Sequence, residues 1–334
     1  MSMAAVKFAP VGGAMVRVAI VGLGAIGKEV LKAVRARTGL ELVAVADPAS
    51  VGRDAGEASG VEPCGVKVVG SAGEALAGRD VDVVLVLTGS GVADVVAIVE
   101  AAAAAGADVI STCEDLSYAD LSAPELARRI DARARTAGIT VVGTGVNPGF
   151  VMDRLPLTLA AACVSVERVR VERVVDAAKR RAPLRAKVGA GLTEQEFRTG
   201  VREHRLGHRG LAESCALVGL GLGWSFDEIR STIDPVLEDR PGVPAGRVAG
   251  LRQSAVGVRE GQEVVRLDLE MSVGAPDPHD RVVIDGDPPL EVLVRGGTHG
   301  DRGTVATVLS AIPSVIASSP GLKTILDLAL GGAS

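Results

Sequence analysis

From Val16 onward, short runs of β-branched and aliphatic residues alternate with longer stretches whose apolar positions recur every three or four residues. The runs Val16–Val21, Leu40–Ala46, Val66–Val69, Asp82–Leu87, Ala107–Thr112 and Ile139–Gly143 predict strands. Ala25–Arg37, Val92–Ala105 and Ala123–Thr136 predict helices. Strands that are apolar on both faces and alternate with helices belong to a parallel sheet covered on each side, a doubly wound α/β domain.

The pattern changes after Gly149. Ser165–Val175 alternates apolar with charged residues, as a strand with one wet face does. Helical stretches follow at Thr193–Val201 and Gly210–Leu222, then period-two runs at Val248–Val258, Glu263–Val273, Arg281–Ile284 and Leu290–Val294. This predicts a second, α+β domain with a mixed or antiparallel sheet. A last helical pattern, Thr304–Ala317 with Pro313 inside it, is expected to pack back on the first domain. The expected division is residues 1–149, 150–303 and 304–334.

Composition removes several function classes. The chain has 334 residues with 36 Lys and Arg against 41 Asp and Glu, a net charge of −5, and no basic block to suit nucleic acid or an anionic membrane. Four Phe, one Tyr and one Trp are too few for an aromatic cage or a base-stacking platform. The mean hydropathy of +0.32 therefore reflects Ala, Val and Leu. No uncharged apolar run reaches the roughly 18 residues of a membrane span. Lys7 precedes an apolar stretch, but Arg17 interrupts it, so no signal peptide is expected. Cys64, Cys113, Cys163 and Cys215 are scattered without a C-x-x-C pair, which predicts reduced thiols, a cytoplasmic location and no metal site.

Gly22-Leu23-Gly24-Ala25-Ile26-Gly27 directly follows the first strand and opens the first helix. Gly22 permits the tight turn, Gly24 admits a pyrophosphate close to the backbone, and Gly27 lets helix and strand pack. The helix N-terminus then faces the phosphates. With Asp47 ending the second strand, 20 residues past Gly27, this is a Rossmann-type dinucleotide fingerprint. Asp47 favours NAD, while Arg53 in the same loop would offset its charge for NADP, so both cofactors stay open. A second glycine series, Gly219, Gly221 and Gly223, has Trp224 at the wrong spacing and no strand before it.

Ligands of such sheets sit at the carboxyl ends of the strands. Thr88-Gly89-Ser90, then Thr112-Cys113-Glu114, then Asn147 within Gly143–Gly149 occupy those ends. A nicotinamide extending from the glycine turn would lie beside them. Glu114 reads as an acid/base group or as a solvated acid at a helix start. Cys113 is a rival nucleophile of the semialdehyde-dehydrogenase kind, set against a buried structural thiol. His208 reads as the start of a helix facing the cleft, or as a satisfied surface or capping histidine. Lys179, Arg180, Arg181 and Lys187 read as a solvated loop or as an anion clamp for a substrate carboxylate, with Gly189–Gly191 supplying flexibility.

The blocks Ile110–Glu114, Gly143–Asp153, Arg180–Leu184 leading to Lys187–Gly191, Gly207–Ser214, Asp285–Pro289 and Gly296–Asp301 resemble the 2,4-diaminopentanoate dehydrogenases and related native amine dehydrogenases. The likeness runs over residues 16–328. It implies a Rossmann domain joined to a dihydrodipicolinate-reductase-like α+β domain, a homodimer, and NAD(P)-dependent interconversion of an amine with a ketone and ammonia. It also implies that Glu114 manages ammonia and that Phe150 forms a pocket wall. Phe150 and Leu155 would suit a plain alkyl substrate, whereas Lys187 with Arg180 and Arg181 would suit a diamino acid. The four histidines are nowhere adjacent, so dihydrodipicolinate reduction itself is not implied. The alternatives are a non-catalytic dimer that senses nicotinamide redox state, or another imine- or semialdehyde-type oxidoreductase.

Overall fold

In the computed structural model, which describes residues 15–179 and 182–329, the alternating pattern folds in chain order. The elements are β1 (Val16–Val21), α1 (Ala25–Ala36), β2 (Leu40–Ala46), α2 (Ala55–Ala58), β3 (Val68–Val69), α3 (Ala72–Leu76), β4 (Val83–Val86), α4 (Val92–Ala105), β5 (Asp108–Ser111), α5 (Ala119–Ser122), α6 (Pro124–Ala137) and β6 (Thr140–Gly143). Next come α7 (Arg154–Ala160), β7 (Ser165–Asp176), α8 (Ala182–Lys187), α9 (Glu194–Arg202), α10 (Leu211–Gly221), β8 (Glu228–Val236) and β9 (Gly250–Arg259). The chain ends with β10 (Gln262–Ser272), β11 (His279–Asp287), β12 (Leu290–Arg295), α11 (Gly300–Ile316) and β13 (Gly321–Lys323). Two units result: residues up to Gly149 together with those from Gly300, and Phe150–His299 between them.

The first unit holds a seven-stranded parallel sheet in the order β13-β6-β5-β4-β1-β2-β3. Successive residues along a strand point to opposite faces, and two apolar cores follow from that alternation. Ala19, Val21, Val84, Val86, Val109 and Val141 pack with α3, α4 and α6 on one face. On the other, Val18, Ile20, Val83, Leu85, Ile110 and Val142 pack with α1 and α11. Helix α1 buries Gly27, Val30, Leu31 and Val34, the spacing of one helical stripe.

In the second unit, β12-β11-β7-β10-β9-β8 form a mixed sheet in which only the β7–β10 pairing is parallel. Along β7, Val169, Val171 and Arg173 are buried while Arg168, Arg170 and Glu172 are exposed. Helix α10 packs on this sheet. A Cβ on Gly219 of α10 or on Gly257 of β9 would lie 2.5 or 2.6 Å from the Phe226 ring. Of the later glycine series, Gly219 thus serves packing around that ring, Gly221 admits Leu157, to which a Cβ would lie at 2.6 Å, and Gly223 has φ +69° with nothing within 4 Å. Helix α11 starts at Gly300, four residues before its apolar periodicity, because Gly300–Arg302 form a polar first turn.

Candidate active site

The carboxyl edge of the parallel sheet gathers the residues of the first unit that the sequence singles out. Gly22 leaves β1 with φ +99°, and a Cβ there would lie 2.6 Å from the Leu87 carbonyl oxygen. At Gly27 a Cβ would fall 2.0 Å from the Gly22 oxygen, so α1 seats directly on the turn. Gly24 is the opposite case: it is exposed, and a Cβ would meet nothing within 4 Å. Neither a side-chain cap nor a first-turn acid covers the start of α1, where Ala25 is exposed and Ile26 half-buried. Open space beside an uncapped, positive helix end fits a pyrophosphate.

Asp47 stands beside this turn. One carboxylate oxygen accepts from Leu23 N at 2.7 Å and the other from Ala49 N at 2.9 Å. These bonds aim the group while leaving acceptor capacity for ribose hydroxyls. Arg53 is exposed in the same loop, its backbone N donating to Ser50 O at 3.2 Å.

The neighbouring strand ends complete the edge. Thr88 is exposed, and Gly89 is so close to Asp94 that a Cβ would lie 2.4 Å from its carboxylate. Asp94 in turn accepts from Gly91 N at 3.2 Å, which fixes this loop at the start of α4. Thr112 N donates to Val86 O at 3.0 Å, carrying β5 past its last sheet residue. Glu114, half-buried, opens the 3₁₀ turn Glu114–Tyr118. Thr144 N donates to Ser111 O at 2.8 Å, bringing the loop with half-buried Asn147 alongside. Gly149 closes that loop at φ +124°, where a Cβ would lie 2.4 Å from Gly145 N.

Cys113 does not have the setting of a nucleophile. It is buried, and burial pushes its thiol up to about 12, so it stays protonated at neutral pH. The alternative of acyl transfer through this residue is set aside.

In the second unit, Phe150 and Leu155 are half-buried neighbours, with Leu155 N donating to Phe150 O at 2.8 Å. Lys187 ends α8 instead of lying in a loop, and its side chain is exposed. Gly207 N donates to Lys187 O at 3.3 Å, which brings the His208 segment beside it. His208 precedes α10 by three residues and does not begin it, because Gly210 at φ 90° is the N-cap. Gln253 instead brackets the His208 backbone, accepting from its N at 2.9 Å and donating to its O at 2.8 Å. Arg180 and Arg181 lie outside the described residues. Sequence reasoning missed Gln253, and also the buried Asp153, which accepts from Ser214 Oγ at 2.8 Å and joins two of the quoted blocks. The only signal for Asp153 was membership of the block Gly143–Asp153, and Gln253, which lies outside every quoted block, had none. Among the described residues, no group of three His, Cys, Asp or Glu is placed to hold a metal ion.

Fold and glycine turn together define a class: a Rossmann-type dinucleotide-binding protein with an appended mixed-sheet domain. Residues 16–143 match the family of the dihydrodipicolinate reductase N-terminus, and residues 150–334 match the 2,4-diaminopentanoate dehydrogenase C-terminal domain. The chain belongs to the 2,4-diaminopentanoate dehydrogenase C-terminal domain family, whose match covers more than half of it.

A 2,4-diaminopentanoate dehydrogenase of Acetoanaerobium sticklandii is 31% identical over 231 residues, which span 66% of this chain but 65% of that protein. An amine dehydrogenase of Streptomyces virginiae is 27% identical over 349 residues, covering 95% and 97% of the two chains. The solved structure of an amine dehydrogenase from Mycobacterium smegmatis shares the fold, with a TM-score of 0.83 at 23% identity over 94% of this chain and 96% of that one.

Proposed function

We propose that the protein is an NAD(P)-dependent amine dehydrogenase, converting an amine or a 2,4-diaminopentanoate-like diamino acid to a ketone and ammonia, and the reverse. The observation that carries this reading is the half-buried Glu114 carboxylate on the edge where the glycine turn, Thr88–Ser90 and Asn147 also end. The family membership and the two dehydrogenase relatives support it.

Gly22, Gly24, Ala25, Ile26 and Gly27 would hold the pyrophosphate and Asp47 the adenosine ribose. Arg53 would meet a 2′-phosphate if NADP binds. Thr88, Gly89, Ser90, Thr112 and Asn147 would line the nicotinamide. When bound, the nicotinamide supplies the hydride acceptor. Glu114 takes a proton from the substrate ammonium, which frees the nitrogen lone pair to expel the α-hydride. Water then adds to the resulting iminium carbon, and Glu114 returns its proton to the departing nitrogen as the C–N bond breaks. The balance is substrate ammonium plus water plus oxidised cofactor to ketone plus ammonium plus reduced cofactor and one proton, which leaves from the added water. Phe150 and Leu155 would contact the carbon skeleton, and Lys187 or His208 a substrate carboxylate. The assembly is a homodimer in the cytoplasm; no helix among the described residues is long and apolar enough to cross a membrane.

Removing a positioned acid/base group costs about 10²–10⁴-fold in rate. Glu114→Gln is therefore expected to lower kcat for amine oxidation by that factor, followed as absorbance of reduced cofactor, with dinucleotide affinity unchanged. Near-wild-type turnover in this variant would refute the reading. A panel of carboxylated and uncharged amines separates the two substrate classes.

A further inference from the structure

Cys113 has a setting that neither the nucleophile reading nor a simple core role uses. Its Sγ lies 3.0 Å from the Ser90 carbonyl oxygen, which also accepts from Asp115 N at 3.2 Å. Its own N donates to Ser111 Oγ at 3.1 Å, while Ser111 Oγ donates to Val86 O at 3.3 Å. One residue past the turn's midpoint, Ser117 Oγ donates to Glu114 O at 2.7 Å. Ser111, Cys113 and Ser117 are all buried to within 1%. From the other side, β6 leaves no slack: a Cβ on Gly143 would lie 2.5 Å from Leu116 C and Ser117 N. Every one of these bonds joins a side chain or amide of the Ser111–Ser117 segment to the end of β4, to the loop that follows it or to the segment itself, and together they bracket Glu114 on both sides.

From this we infer that Ser111, Cys113 and Ser117 form a latch that fixes the Glu114 turn against the ends of β4 and β6, so that they are positioning residues for proton transfer by Glu114. The inference rests on the role proposed for Glu114. A buried, protonated thiol is well suited to the central position: it donates to Ser90 O and makes no competing charge beside the acid it holds. Because Ser90 belongs to the loop proposed to line the nicotinamide, the same bond would set the distance between proton acceptor and hydride acceptor. A displacement of about 1 Å in such a constellation costs roughly 10²-fold.

The experiment compares Cys113→Ala, which removes the donor, with Cys113→Ser, which keeps one, each alone and combined with Glu114→Ala. Cys113→Ala is expected to lower kcat by about 10–100-fold. It should also displace the acidic limb of the kcat pH profile, while KM and the dinucleotide Kd from fluorescence titration stay within about twofold. Cys113→Ser is expected to restore the limb and most of the rate. In the Glu114→Ala background, Cys113→Ala is expected to add less than about twofold, the non-additivity of residues acting as one unit. Unchanged kcat and pH profile in Cys113→Ala, or an equal loss with Glu114 already removed, overturns the latch. A Glu114→Ala enzyme that is fully active overturns instead the role of Glu114. If Cys113→Ala fails to fold, Ser117→Ala carries the same expectations and the same refutations.

Discussion

At the residue scale, three glycines with one sequence signature do different physical work. Gly24 has space and an ordinary backbone conformation, φ −63°. Gly24→Val is therefore expected to leave stability within about 0.5 kcal/mol, yet weaken dinucleotide binding at least about tenfold, near 1.4 kcal/mol, as read by fluorescence titration. Gly27→Ala drives a methyl into the Gly22 carbonyl and is expected to cost roughly 1–3 kcal/mol, visible in the urea midpoint of the protein without cofactor. At the opposite, amino edge of the sheet, burial pushes Asp108 up to about 6 from 3.8, with Thr140 N donating to it at 2.7 Å. The native state thus keeps a proton that the unfolded chain has already lost, so this group lowers stability as pH rises from about 4 to 6 and contributes no further change above that. Asp108→Asn keeps the acceptor for Thr140 N. Its stability should match wild type near pH 4 and exceed it at neutral pH by on the order of 1 kcal/mol after solvent screening, read as a higher melting temperature. Equal melting temperatures at pH 7 would contradict the burial argument. The glycine turn and Glu114 were legible because strand, turn and spacing are all written locally. For Cys113 the sequence left two readings, a nucleophile and a buried structural thiol, and the second holds because residues distant in sequence, among them Val86, Val95 and Val141, share its core.

At the element scale, the parallel strands could be read almost to their ends because both faces are buried, so apolar runs stand out. Strand β8 gave no such sign. It sits at an edge of its sheet, carries Pro235, and leaves Glu228, Arg230, Ser231, Thr232 and Asp234 exposed, so neither alternation nor an apolar run marks it. Strand β13 is three residues long and is recruited by pairing with β6, below the length any periodicity can show. Within β7 the alternation was read correctly, but Arg173 occupies a core position. Its guanidinium donates to Asp280 at 2.5 Å and to Thr298 O at 2.8 Å, and Thr298 N donates back to Asp280 at 2.6 Å. The pair ties β7, β11 and the segment after β12 into one polar core. Removing one member of a buried pair typically costs about 3–5 kcal/mol. Asp280→Ala is expected to show that loss as a lower urea midpoint, and an unchanged midpoint would mean the pair contributes little.

At the scale of the whole molecule, a ligand that binds only the native chain raises its stability by linkage, about 2.7 kcal/mol at 100 times its Kd. Thermal denaturation with NAD and NADP in turn should therefore show a concentration-dependent rise. A larger rise with NAD would assign Asp47 the controlling role at the ribose, and a larger rise with NADP would assign it to Arg53. A chain stabilised by neither would not bind dinucleotides at all. The division into two units also bears on how the chain is made. Val308, Leu309, Ile312 and Val315 of α11 belong to the same apolar core as β1 and α1, although 150 residues of the other unit, Phe150–His299, intervene. During synthesis, the β1–β6 segment must wait with one face of its sheet partly uncovered until α11 leaves the ribosome. The inserted unit, whose residues are contiguous, can finish folding before the unit that started.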